Sequence, residues 1–160
     1  MAKPEGTTSM ACINWGDHYS VGVPVMDRQH KRLADIVNQL QTELRASANS
    51  NRLGLLLTAL SQEIQTHFAD EEKLMESIGF PGTAKHAESH VALYKRLEQL
   101  QERFGGEDKP SVNEVMIFFR DWFVDHIQKE DREYGVFIYN QRAKLRAEAS
   151  NRDKIKEPVA

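Results

Sequence analysis

Residues 53–78 read LGLLLTALSQEIQTHFADEEKLMESI. The positions 53, 57, 60, 64, 67, 71, 74 and 78 are three or four residues apart, the spacing of one face of an α-helix. Leucine or isoleucine occupies six of them, and His67 and Glu71 occupy the other two. The stretch has no proline and no alternation of apolar with polar residues, so a strand is excluded. One helix therefore carries an imidazole and a carboxylate on the face it buries.

The same period runs through the flanking segments. Prolines fall at 4, 24, 81, 110 and 158, with glycines near several of them, leaving three long proline-free segments. Helices end where such residues gather, because proline lacks a backbone donor and glycine has excess backbone entropy. Loops are predicted near 46–52, 78–83 and 105–110. A first helix is predicted from Asp27 as N-cap, burying Leu33, Val37, Leu40 and Leu44. A third, after Gly82-Thr83, buries Leu93, Leu97, Leu100 and Phe104. A capping box at Ser111–Glu114 opens the fourth, with Val112, Val115, Phe119, Trp122 and Phe123 inside. Four helices joined by short loops predict an all-α, up-down-up-down antiparallel four-helix bundle. Residues 1–23, with Trp15 and Tyr19, read as an N-terminal arm packed across it, of which 1–12 lie ahead of the core. After Gly135 the charged stretch 141–157 is predicted to form a short fifth helix fraying into a tail (141–160). One domain spans 1–160, with its core at about 13–139.

The chain has 160 residues, 40% apolar and 28% charged, with a net charge of −3. One soluble domain fits that length and composition. No basic excess marks a nucleic-acid footprint. The single cysteine, Cys12, cannot form an internal disulfide, which fits a reducing compartment. Residues 1–14 lack the apolar run of a signal peptide, and no stretch approaches the roughly 18 apolar residues of a membrane span. The expectation is a cytoplasmic protein with neither nucleic acid nor membrane as partner.

Five of the six histidines fall in register with buried stripes. His30 continues the series 30, 33, 37, 40, 44, and His86 and His90 continue 86, 90, 93, 97, 100, 104. His126 continues 112, 115, 119, 122, 126, while Asp131 lies on the neighbouring inward row 123, 127, 131, 134, 138. A lone histidine on an apolar face is ordinarily a hydrogen-bonded core residue. Five of them with two acids are another matter, because burying an unpaired carboxylate costs several kcal/mol. Bound cations compensate that cost, and neutral imidazole and carboxylate are the ligands they take. His67/Glu71 and His86/His90 are i,i+4 pairs that project from one face. His126 and Asp131 are i,i+5, rotated by roughly 140° in ideal α-geometry, so a π-bulge is predicted in the fourth helix. Seven side chains are too many for one ordinary ion and suit two ions bridged by two carboxylates. Imidazole suits iron, copper, zinc and nickel alike, so ligand type alone leaves the metal open.

The pattern Asp27-x-x-His30, His67-x-x-x-Glu71, His86-x-x-x-His90 and His126-x-x-x-x-Asp131 resembles the hemerythrin family, above all its single-domain bacterial members. The resemblance covers residues 13–139 and extends to Trp15 in the arm. It implies reversible O₂ binding at two iron ions (Fe²⁺/Fe³⁺) with a bridging oxo or hydroxo group. His86, His90 and His126 would hold one iron, His30 and His67 the other, and Glu71 and Asp131 would bridge them. O₂ would bind at the open position of the two-histidine iron and be held in reduced form, which demands a dry pocket. The family's pocket positions map onto Leu33, Phe68, Trp122, Phe123 and Ile127. Phe123 stands where the family usually has leucine.

The implied role is storage, delivery or buffering of oxygen, with O₂ as the ligand. Delivery or sensing would bring in a protein partner that the sequence does not identify. Alternatives on the same centre are an O₂ or redox sensor, an O₂- or NO-processing oxidase or peroxidase, and iron handling or a zinc-loaded site. No general acid, base or substrate pocket shows beyond the metal ligands, so the expectation is a binding protein and not an enzyme. His18 reads as a surface residue, Cys12 as a free thiol, and Asp70 and Glu72 as a solvated face. Gln29 and Asp125 flank ligands, where supporting contacts would arise.

Overall fold

The computed structural model describes residues 12–46 and 50–155. The predicted arm residues 1–11, the centre of the first loop (47–49) and the end of the tail (156–160) lie outside them. Helices α1 (Pro24–Arg45), α2 (Ser50–Ser77) and α3 (Thr83–Gly105) are followed by a composite fourth helix. The composite comprises α4 (Val112–Asp121), a π-helical segment (Trp122–Asp131) and α5 (Arg132–Ile155). Ahead of α1 the arm makes one 3₁₀ turn, Asp17–Tyr19. α1 packs on α2 and α4, and α2 on α3, while the 3₁₀ turn rests on the π segment. This is the antiparallel four-helix bundle that the periodicity predicts, and the capping box of Ser111 and Glu114 is present at the start of α4.

α1 begins four residues earlier than expected. Val23 is its N-cap and Pro24 occupies the first helical turn, where a missing N–H costs nothing. Asp27, expected to cap the helix, instead holds the arm. Its carboxylate accepts from the Val21 N–H at 2.8 Å and from the Ser20 hydroxyl at 2.8 Å. A second clasp lies farther out, where Asn38 accepts from the Ile13 N–H at 2.9 Å and donates to the Ile13 carbonyl at 2.8 Å. Ile13 and Tyr19 are buried, so the arm joins the core as predicted.

The expected separate fifth helix is absent among the described residues: α5 runs without a break through Gly135 to Ile155. Gly135 is buried, and a Cβ there would overlap the Val21 carbonyl of the arm. Glycine at this position permits close backbone approach and does not end the helix. From Asn140 to Arg152 every side chain is exposed. Gly135→Ala should push the arm off the bundle and cost about 1–3 kcal/mol, the usual range for overpacking. A urea midpoint equal to that of the parent protein would show that the arm yields freely.

The core fills the bundle along the predicted stripes, with Leu33, Val37, Leu40, Leu60, Ile64, Leu97, Val115 and Phe119 all essentially inaccessible. Leu44, Leu53, Leu74, Leu93 and Phe104 are only partly buried, and Met75 and Ala34 complete the interior. No helix of the described residues is long and apolar enough to cross a membrane.

Candidate metal centre

All seven predicted ligands converge at mid-bundle, each 5% exposed or less. α1 brings His30, α2 brings His67 and Glu71, α3 brings His86 and His90, and the π segment brings His126 and Asp131. The i,i+5 spacing of the last pair explains the π geometry. Opening the turn to i→i+5 hydrogen bonding carries Asp131 back to the face that His126 occupies. The predicted bulge extends here over the ten residues Trp122–Asp131.

The side chains fall into two overlapping sets, each with ligand atoms within 4.8 Å of one another. One is Glu71, His86, His90 and His126; the other is His30, His67, Glu71 and Asp131. Glu71 belongs to both. Its Oε2 lies 3.0 Å from His90 Nε2, 3.4 Å from His86 Nε2 and 3.7 Å from His67 Nε2. Asp131 also faces both ways, with Oδ1 3.2 Å from His86 Nε2 and 3.2 Å from His126 Nε2. Its Oδ2 is 3.2 Å from His30 Nε2. Across the second set, the Nε2 atoms of His30 and His67 stand 3.2 Å apart.

Hydrogen bonds on the far side of three rings orient these nitrogens. His67 Nδ1 meets Gln29 Oε1 at 3.0 Å, His90 Nδ1 meets Glu72 Oε1 at 2.7 Å, and His126 Nδ1 meets Glu130 Oε2 at 3.1 Å. An acceptor at Nδ1 places the proton there and leaves Nε2 as a bare lone pair turned inward. Gln29 in turn donates from Nε2 to Asp70 at 2.7 Å, which fixes the direction of its amide. Of the residues suspected of supporting ligands, Gln29 does so. Asp125 does not, and pairs instead with Lys129 on the surface. Sequence reasoning missed Glu72, read as solvated, and Glu130. The available signal for Glu130 was its i,i+4 spacing from His126.

Charge and solvation show what the cluster lacks. Burial holds His67 down at about 4, against the pull of Glu71, and burial likewise lowers His126. Burial would lower His86 too, but close contact with Asp131 and Glu71 lifts it to about 10. Burial would raise Glu71, yet His67, His86 and His90 hold it well below the usual carboxylate range. Asp131 is also depressed: burial and Glu71 oppose its ionisation, and His126, His30 and His86 outweigh them. Both acids are therefore ionised in a site of no exposure. His90 Nε2, His126 Nε2, Glu71 Oε1 and both Asp131 oxygens have no hydrogen-bond partner. Buried acceptors without donors are the condition that divalent cations satisfy, so this donor set fits metal. Tyr134, fully buried on the predicted inward row, places a hydroxyl without a hydrogen-bond partner nearby. Burial and the Glu71 and Asp131 charges push its ionisation strongly upward, so it stays neutral.

The five expected pocket residues, Leu33, Phe68, Trp122, Phe123 and Ile127, are all buried. Phe68 stacks on His90 with ring centres 3.8 Å apart and lies 5.8 Å from the rings of both His67 and Trp122. From the arm, Tyr19 sets its edge against Phe123 at 5.7 Å, and Trp15 lies 6.2 Å from His30. Two surface clefts approach the centre. One of about 240 Å³ reaches His126 and Trp122, and one of about 580 Å³ reaches His90 and Phe68. His18 is exposed, as expected, and Cys12 is a free thiol whose Sγ contacts the Met116 carbonyl at 3.7 Å.

Comparison with known proteins agrees with this geometry. The model of the hemerythrin HHE cation binding domain matches residues 21–138, which contain all seven candidate ligands. The chain is 33% identical over 130 residues to a bacteriohemerythrin of Stenotrophomonas maltophilia, covering 79% of this chain and 81% of that one. It is also 33% identical over 127 residues to a bacteriohemerythrin of Methylococcus capsulatus, covering 79% and 96%. Among solved structures, a wild-type hemerythrin superposes with a TM-score of 0.71 at 32% identity, covering 77% of this chain and 95% of that one. A leucine-to-phenylalanine mutant superposes with a TM-score of 0.72 at 34% identity, covering 79% and 96%. With the domain model spanning the whole ligand set on the same bundle, the chain belongs to the hemerythrin family.

Proposed function

We propose that the protein binds O₂ reversibly at a pair of iron ions, as a store, carrier or buffer of oxygen and not as an enzyme. The observation that carries this reading is the sharing of Glu71 between two buried ligand sets, with Asp131 facing both. His86, His90 and His126 would hold one ion and His30 and His67 the other, with the two carboxylates common to both. The position bounded by His86, His90 and His126 would then have the larger share of side chains, and the one bounded by His30 and His67 would have fewer and so room for a small guest. Iron bound here would supply the electrons and the coordination position that O₂ needs.

The rest falls to the chain itself. Gln29, Glu72 and Glu130 keep three imidazoles turned inward. Leu33, Phe68, Trp122, Phe123 and Ile127 exclude water, and through it the protons that would turn reversible binding into irreversible oxidation. The arm closes the two-histidine side with Trp15 and Tyr19. Trp15 and Tyr19 cover the two-histidine side, while the surface clefts reach the three-histidine side at His126 and His90, and that division supports a carrier over an oxidase.

The test is the visible spectrum of the reduced, iron-loaded protein as air is admitted and then removed. A charge-transfer band that comes and goes is expected. One-way conversion to a diferric spectrum would move the assignment to oxidase or redox-switch chemistry, and failure to load two irons to a zinc or structural site. Phe123→Leu should change the O₂ release rate or the autoxidation rate severalfold with iron content intact. Loss of iron in that variant would instead make Phe123 a support for the ligands.

A further inference from the structure

The far-side hydrogen bonds differ between the two halves of the centre. On the three-histidine side, His90 and His126 each back onto a carboxylate, Glu72 at 2.7 Å and Glu130 at 3.1 Å. On the two-histidine side, His67 backs onto the neutral amide of Gln29, and His30 Nδ1 is buried with no partner. The Gln29 amide is not free to turn, because its Nε2 donates to Asp70. An imidazole that donates to a carboxylate gains anionic character and becomes a more basic ligand, favouring the higher charge state of a bound metal. An imidazole that donates to an amide gains less, and one that donates to nothing gains none.

We infer that Glu72 and Glu130 polarise the metal pair electronically. They make the ion held by His86, His90 and His126 the first to lose an electron and leave the two-histidine ion the more reducible. This inference rests on the di-iron reading above. When one electron passes from the reduced pair to an outer-sphere acceptor such as ferricyanide, the ferric charge settles on the three-histidine side. Glu72 and Glu130 are positioning residues: they touch ligands and neither iron nor O₂. Their side chains are 36% and 42% exposed, so solvent screens part of the effect and it is moderate in size.

The experiment compares the iron-loaded parent with Glu72→Gln, Glu130→Gln and the corresponding alanine variants, reading iron content and the first midpoint potential. Glutamine keeps an acceptor oxygen but removes the charge, whereas alanine removes both. Each glutamine variant should retain two irons and shift the one-electron equilibrium severalfold to tenfold towards the reduced pair, up to about 59 mV in potential. Gln29→Glu should move it the opposite way and erode the preference for the three-histidine side, read from the Mössbauer spectrum of the one-electron-oxidised protein. Glutamine variants with the parent's potential, beside alanine variants that shift, would make the contacts orienting only and overturn the inference while leaving the di-iron reading intact. A parent protein that takes up fewer than two irons defeats that reading and the inference with it.

Discussion

Chelating the metal out of the loaded protein is expected to lower its thermal midpoint by about 10 °C. A ligand bound only by the native state stabilises it by about 4 kcal/mol at a thousandfold excess over its dissociation constant. In a chain of this size each kcal/mol moves the midpoint by roughly 2–4 °C. The physical source is the pair Glu71 and Asp131, both inaccessible to solvent and both with acceptor oxygens that nothing donates to. Without a cation, the surrounding imidazoles oppose their mutual repulsion, and the two carboxylates hold a proton on His86. Binding metal must displace that proton, so acidification should weaken binding, and metal uptake should release protons. Calorimetry before and after chelation decides the matter. Equal midpoints would show that the seven side chains satisfy one another and are not a metal site.

Removing a shared carboxylate should cost more metal than removing a histidine. Glu71→Ala is expected to take the bound metal from two ions to none, and Asp131→Ala to do the same or nearly so. His30→Ala and His126→Ala should each leave one ion in place, because each belongs to a single set. An interaction that both sites share cannot be removed from one alone, so the variants are far from additive. Elemental analysis of the purified variants reads the stoichiometry directly. One ion retained in Glu71→Ala would make the carboxylate a ligand of one site and not a bridge.

The buried convergence of the seven candidate ligands was legible in the sequence because burial in a helix is periodic, and ionisable residues standing on an apolar stripe interrupt it visibly. The π segment was legible for a related reason: His126 and Asp131 cannot share one face at α-spacing. The groups behind the ligands were harder. Glu72 and Glu130 are half exposed, and nothing in one-dimensional patterning separates such a carboxylate from a solvated one. Only the rotamers of His90 and His126 do so. Asp27 was misplaced because an aspartate before an apolar stripe is a common helix cap. Here Pro24 starts the helix without a side-chain cap, and the carboxylate is left to fasten the arm. Gly135 reads as a helix end by propensity alone. Its reason for being there is the backbone of a segment more than a hundred residues away in sequence.

The wide turn at Trp122–Asp131 also sets the phase between the two ends of the fourth helix. Val115 and Phe119 face the core ahead of it, and Tyr134 and Gly135 after it. Rewinding the segment to ordinary α-helix at unchanged length would rotate everything after it by about 100°, the step of the one residue that the wide turn absorbs. Tyr134 would leave the core, Asp131 would leave the face of His126, and Gly135 would no longer lie beneath Val21. The segment works like a key cut into a shaft: the extra residue it takes up keeps the candidate metal site and the arm in step, so the turn cannot rewind without losing both.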